Sequence, residues 1–371
     1  RPDGRVPPKG RALLLVLLIA ARPAAAGLPA EDDAFLEDLS RRSFQYFWAH
    51  ADPGTGLVLD RARADGSGPD EEHARVASIA STGFGLSALC VAAERGWVPR
   101  RKAAARAAVT LRFLAHKAPR QHGWFYHWMD SRTGERVWNS ELSSIDTAIL
   151  LAGVLTAKGC FAADKEVARL ADAIFDGVDF PWMLAGDPGL LSMGWYPDKG
   201  FISSRWDTYS EGPLLYMLGA ASRTHPLPAS SWRAWKRDWT TYGGVRYLHP
   251  GTPLFTHQYP QAWVDLRGRK DTDGTDYFEN SVLATRAHRQ FCLDLAQAFP
   301  GYTATVWGIT ATDGPKGYRA WGGPPRHPDI DGTVVPAAAG GSLMFAPDIT
   351  LPALRRMKEW VRPQIWGPYG F

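Results

Sequence analysis

From Glu31 onward the apolar positions Phe35, Leu36, Leu39, Phe44, Phe47 and Trp48 recur three and four residues apart, which predicts an amphipathic helix ending near Asp52-Pro53-Gly54. A loop rich in Asp, Gly and Arg follows, and the pattern then changes character. Residues 81–96 are almost uncharged and rich in Gly, Ser and Ala, which predicts a closely packed helix, whereas residues 102–117 carry charge on one side. The alternation returns: residues 140–155 are nearly uncharged, and residues 164–184 form a more polar partner. A third apolar stretch, Gly212 to Ala220, opens on Pro213, which early helical positions tolerate because their N–H groups have no intrahelical partner. Thr82, Thr147 and Gly212 stand 65 residues apart, and Asn280 opens a fourth unit 68 residues later. Further helices are predicted near residues 331–340 and 350–360. Apolar helices wrapped on all sides and polar helices facing water predict an all-α fold, an α/α toroid of the six-hairpin barrel type, with about ten of its twelve helices in this chain.

Composition changes the picture in three places. The N-terminus combines Arg1, Arg5, Lys9 and Arg11 with the apolar run Leu13 to Ala21 and Ala24-Ala25-Ala26, which predicts a signal peptide over residues 1–26 and an exported, periplasmic or secreted protein. The run is too short to span a bilayer, and one domain, residues 27–371, is expected to follow it. That leader holds five basic residues against Asp3 and so accounts for the whole formal charge of +4; the remainder is near neutral, which argues against nucleic acid as a partner. Cys90, Cys160 and Cys292 have no metal-ligand spacing and read as buried thiols.

The chain holds 16 Trp, several of them in loops that also carry acids. Flat apolar sugar faces stack on such rings while carboxylates bind hydroxyls, so the pattern suits a saccharide. Trp206, Asp207, Tyr209 and Ser210 lead into the helix whose first turn holds Glu211. An acid there ordinarily complements the helix dipole; the aromatic company, repeated one unit earlier where Trp138 precedes Glu141 and Asp146, points instead to a ring of helix mouths around one pocket. The irregular segment 243–276 adds His257, Gln258, Trp263, Asp265 and Arg267, and later loops add Glu279, Trp307, Asp313, Tyr318 and Asp331 as groups that could line it. The acidic run from Asp271 to Asp276 lacks the ligand alternation of a calcium loop and reads as a solvated turn. No metal site and no cofactor motif is predicted.

Read in order, Phe44-Gln-Tyr-Phe-Trp48, Ser144-Ile-Asp-Thr-Ala148, Tyr209-Ser-Glu211, Thr224-His-Pro226, Phe255-Thr-His-Gln258, Asp276-Tyr-Phe-Glu-Asn280, Trp307-Gly-Ile-Thr-Ala-Thr-Asp-Gly-Pro315 and Asp331-Gly-Thr333 resemble the bacterial glucoamylase-like glycoside hydrolases, the group containing the endo-β-1,2-glucanases. The resemblance runs from about residue 35 to the end. It implies an α/α barrel with its pocket at one mouth, and an inverting hydrolase of a glucan without a cofactor. Glu211 matches the acid implicated in catalysis there. Asp146 falls where those enzymes carry Glu, within Gly-Gly-Asp-Leu-Val-Glu-Thr, and Ser143 replaces an acid. Family members continue past Phe371 with a further helical hairpin, which implies a truncated barrel here.

Inversion needs one carboxylic acid on the leaving oxygen and one carboxylate to activate water, roughly 6.5–9.5 Å apart. Glu211 is the candidate acid, provided that burial raises its pKa against the helix dipole. Asp146 is the candidate base with Glu141 in reserve, or the base belongs to the segment beyond the chain. The substrate partner would be an oligo- or polysaccharide and the protein a monomer. A noncatalytic glycan-binding relative, or a lyase or isomerase on the same fold, stays open because a fold does not fix chemistry.

Overall fold

The computed structural model describes residues 28–314, 316–325, 329–360 and 365–371. The signal-peptide reading of residues 1–26 lies outside the described residues. Ten α-helices are present among them: α1 (Ala30–His50), α2 (Ile79–Glu94), α3 (Arg100–His116), α4 (Ser144–Cys160), α5 (Lys165–Asp176), α6 (Gly212–Ala220), α7 (Ser231–Ala234), α8 (Tyr277–Asp294), α9 (Pro336–Gly341) and α10 (Pro347–Trp360). Among the described residues no helix is long and apolar enough to cross a membrane.

The helices divide into an inner and an outer ring, as the alternation of apolar and polar stretches predicts. In α4, Thr147, Ala148, Leu150, Leu151 and Val154 point in all directions and are all fully buried. In α5 only the stripe Val167, Leu170, Ala171, Ile174 and Phe175 is buried, at the three- and four-residue spacing of a helix with one wet face. Glycine sets how closely the inner helices approach. A Cβ on Gly83 of α2 would lie 2.5 Å from the Ile149 carbonyl oxygen, and one on Gly153 of α4 would lie 2.1 Å from that of Gly83. Helices α2, α4 and α6 succeed one another around the inner ring, each backed by α1, α3, α5 or α7. The outer ring closes where α10 meets α1, through Arg355 with Asp32 and the stacked pair Phe35–Trp366, whose centroids are 5.9 Å apart.

The fourth unit departs from the predicted phase. Helix α8, taken from the sequence as a fourth inner helix, is an outer one: Asn280, Ser281, Ala284, His288 and Phe291 are buried, while Glu279, Arg286 and Arg289 face solvent or surface acids. The inner position belongs to two short 3₁₀ turns, Leu254–His257 and Tyr259–Ala262. These lie between α6 and α9, tied to α9 by Gln258 Nε2 donating to the Ala338 carbonyl at 2.9 Å and to α8 by Ser281 Oγ donating to the His257 carbonyl at 3.0 Å. Prolines 253 and 260 prevent a continuous helix there, so the polar composition of this segment concealed its place in the core. Part of the stretch read as irregular is also a hairpin, Trp239–Tyr242 with Val245–Leu248, turning through Gly243 and Gly244 at positive φ.

The cysteines are free thiols, Cys90 and Cys292 buried and Cys160 partly so.

Candidate active site

Short antiparallel strands decorate one mouth of the inner ring. Val76–Ser78, just before α2, pairs with Trp128–Asp130, and Leu142–Ser143, just before α4, pairs with Gly194–Tyr196. The N-termini of α2 and α4 therefore open on the same side. Two residues 65 apart in the repeat do the same work: Thr82 accepts a hydrogen bond from the Val58 amide at 3.0 Å, and Thr147 from the Phe125 amide at 3.2 Å, each pinning the loop that precedes its helix. The mouth of α6 joins them through Trp206, whose indole N–H donates to Ser144 Oγ at 2.9 Å.

Three of the acids meet at this mouth. Ser143 caps α4, accepting from the Asp146 amide at 3.2 Å, while its hydroxyl donates to Asp146 Oδ2 at 2.5 Å. His127 is strung between the helices, its carbonyl accepting from the Ile79 amide and its own amide donating to the Glu141 carbonyl. Its ring lies between two carboxylates: Nδ1 is 2.9 Å from Glu141 Oε1 and Nε2 is 3.5 Å from Asp146 Oδ2. Burial pushes the Glu141 carboxyl up, but the hydrogen bond and charge of His127 outweigh it and leave it lowered. Glu211, the N-cap of α6, makes no capping hydrogen bond. Burial, with a contribution from the Asp146 charge, pushes its pKa up to about 7 against the dipole of the helix it opens. A carboxyl pushed up toward neutrality, Glu211, thus shares the mouth with one held low, Glu141, which is the asymmetry an acid–base reaction uses.

Aromatic and charged side chains gather around these acids. Tyr259 and Tyr318 both feel the charges of Glu211 and Asp146; burial, then those charges, push Tyr259 to about 12. Tyr318 stands exposed on the hairpin Ala311–Gly314 with Gly317–Ala320. Asp313 of that hairpin reaches Arg61 at 3.0 Å across the mouth, and Arg61 also holds Asp60 at 2.9 Å. Asp60 accepts from the Trp128 indole at 3.4 Å, and Trp138, exposed and with φ of 53°, packs edge-on to Trp128. His127, Tyr259, Asp60 and Arg61 were missed in the sequence. His127 could have been found as the one histidine in the aromatic segment from Trp124 to Trp138, just before Glu141.

Other predicted residues are placed elsewhere. Trp206, Tyr209, His257, Gln258 and Trp307 are buried side chains of the core. His257 packs against His249 and Asn280, and burial drives its pKa well down, so it is a neutral core imidazole and not a free sugar ligand. Gln258 spends its amide on Ala338 and Ser342. Trp263 spans from its loop to α2, donating to Ser87 Oγ at 2.9 Å. Asp265 and Arg267 are exposed and bind each other at 2.8 Å, and Asp331 is turned onto Thr333. Glu279 is exposed in the first turn of α8, and Asp207 lies within electrostatic reach of the buried Tyr216. Asp271 takes the amides of Asp273 and Thr275 and the Tyr277 hydroxyl, the bonding of a turn. A separate hollow of about 460 Å³, bordered by Pro213, Met217, Trp232 and Tyr277, holds none of the three acids.

With this geometry in hand, residues 203–371 match the model of a protein family described as "Putative glucoamylase". Over that segment the chain is similar to the glucoamylase-like proteins. It is 28% identical over 386 aligned positions to the exo β-1,2-glucooligosaccharide sophorohydrolase (non-reducing end) of Parabacteroides distasonis, covering 94% of this chain and 52% of that protein. The chain thus spans about half the length of that curated relative. Among solved structures it is similar to the endo-β-1,2-glucanase from Chitinophaga pinensis in complex with sophorotriose and glucose, with 28% identity, a TM-score of 0.81, and 92% of this chain and 85% of that one covered. The β-1,2-glucanase from Parabacteroides distasonis aligns with 25% identity and a TM-score of 0.82, over 94% of this chain and 53% of that one. The α/α toroid of this chain is the fold these structures share.

Proposed function

We propose that the protein is a glycoside hydrolase of β-1,2-linked glucans, with Glu211 as the proton donor to the leaving oxygen. The observation that carries this reading is the convergence of three acids at the mouth of the toroid, with Glu211, its pKa pushed up to about 7 by burial, beside Asp146 and Glu141, which His127 joins. The likeness to β-1,2-glucan hydrolases supports the linkage. Asp146 takes the part of the carboxylate that activates water, Glu141 stands behind it, and Trp128, Trp138, Tyr259 and Tyr318 supply ring faces for the sugar. We further propose inversion, on the resemblance of the sequence motifs, and export, on the basic and apolar N-terminus.

The test is incubation with β-1,2-glucan and with 1,3- and 1,4-linked glucans. New reducing ends should come from the 1,2-linked polymer alone. In Glu211→Gln the rate should fall by about 10²–10⁴-fold, the span of general acid catalysis, with oligosaccharide binding retained. Saturable binding with no new reducing ends in the unaltered protein makes it a glycan-binding protein. The anomer released first, read by NMR, decides inversion.

A further inference from the structure

We propose that His127 is a positioning residue: an imidazolium that clamps Glu141 and Asp146 together as carboxylates at the mouth that Glu211 shares. Geometry carries the inference. A neutral imidazole has one N–H and one lone pair. Here each ring nitrogen faces a carboxylate oxygen, Glu141 Oε1 at 2.9 Å and Asp146 Oδ2 at 3.5 Å. Asp146 Oδ2 already accepts the Ser143 hydroxyl at 2.5 Å, so it acts as an acceptor and has no proton to offer the ring. A lone pair turned toward either oxygen would oppose an anion, and a second N–H removes that conflict.

The ring has little freedom to escape this arrangement. It lies flat on Trp128, centroids 3.6 Å apart and planes 11° from parallel, and Trp128 is tethered to Asp60. The backbone of His127 is bonded on both sides, to Ile79 and to Glu141. The charged groups facing it are Glu141, Asp146 and Asp60; Arg136 and Tyr196 lie beyond Glu141, and Glu211 beyond Asp146. Burial lowers the affinity of the ring for a second proton, and the three acids together outweigh that. The donor atoms of His127, Glu141 and Asp146 lie within 4.8 Å of one another, a spacing that also suits a cation. An ion would take one ring nitrogen, however, and would leave the other N–H unable to serve the second carboxylate as it does here.

The consequence for catalysis rests on the hydrolase reading; the protonation of His127 does not. The test is NMR titration of ring-labelled histidines in the whole chain, with His127 assigned by its contact to the Trp128 ring and by its loss in His127→Asn. The clamp predicts a His127 titration above the ordinary value of about 6.5, falling in Glu141→Gln and again in Asp146→Asn. A ring that is neutral at pH 6.5, or a midpoint indifferent to both substitutions, overturns it. A stoichiometric change in the His127 signal on adding Zn²⁺ or Ca²⁺ would make the cluster a cation site and overturn it too. The wild-type titration decides even where a variant does not fold. In the activity arm, His127→Asn should lower kcat by about tenfold or more with KM nearly unchanged, and should move the acidic limb of the pH profile. If the unaltered protein hydrolyses nothing, the proposed function fails while the titration still decides the clamp.

Discussion

Glu211 shows how much a single side chain depends on where the chain folds. Its position at a helix N-terminus favours the anion, yet burial and the Asp146 charge prevail and its pKa rises to about 7. Two outcomes follow. If Glu211 delivers the proton, kcat/KM should fall tenfold per pH unit above about pH 7, measured on β-1,2-glucan. Stability should also depend on this group with a definite sign. The unfolded carboxyl loses its proton near 4.5 and the folded one near 7, so the native state weakens as pH rises through that window. Glu211→Gln cannot ionise and escapes the loss. The variant should therefore gain on the wild type by on the order of 2–3 kcal/mol between pH 4.5 and 7.5, read from thermal melts across that range. Of the residues that converge at the candidate site, Glu211, Asp146 and Glu141 were legible in the sequence because each sits at or just before the start of an apolar helix in a repeat. His127 was not, because nothing in a hairpin's residue order says that both ring nitrogens will meet carboxylates from the next unit.

Among the elements, the inner helices were the most legible part of the chain, and their glycines the most telling. Small residues and missing charge predicted that residues 81–96 form a closely packed helix, and its contact with α4 through Gly83 and Gly153 is such packing. Gly153→Ala would press a methyl into the Gly83 carbonyl, and overpacking of this kind costs about 1–3 kcal/mol. Gly159, in the same helix with open space around its Cα, should behave oppositely: Gly159→Ala should stabilise by about 0.5–1 kcal/mol. Urea denaturation of the two variants tests the contrast. The fourth unit was misread for a physical reason. Helix α8 has small and hydroxylated residues, Ser281, Ala284 and Thr285, along its buried face, which imitate an inner helix, while the true inner piece is broken by Pro253 and Pro260 and looks like loop.

At the scale of the molecule, the mouth is assembled from segments far apart in the chain, and the bond between Arg61 and Asp313 joins its two rims. Both side chains are well exposed, so the pair should contribute less than about 1 kcal/mol to stability. Its expected effect is on the substrate: Arg61→Ala should leave the melting temperature nearly unchanged and raise KM several-fold, because the hairpin carrying Tyr318 loses its anchor. Steady-state kinetics beside a melting curve separates the two. The 65-residue period, the apolar and polar alternation and the acids at helix starts follow from residue order, because burial on all sides demands uncharged helices and a repeated unit repeats its mouth. Which aromatics stay at the surface did not follow from it: Trp206, Tyr209 and Trp307 turned inward to fill the core, whereas Trp138 and Tyr318 are exposed. A local stretch can specify that a ring is present and that a helix begins beside it; only the packing of neighbouring units decides whether that ring is covered, and with which charges an acid must share its space.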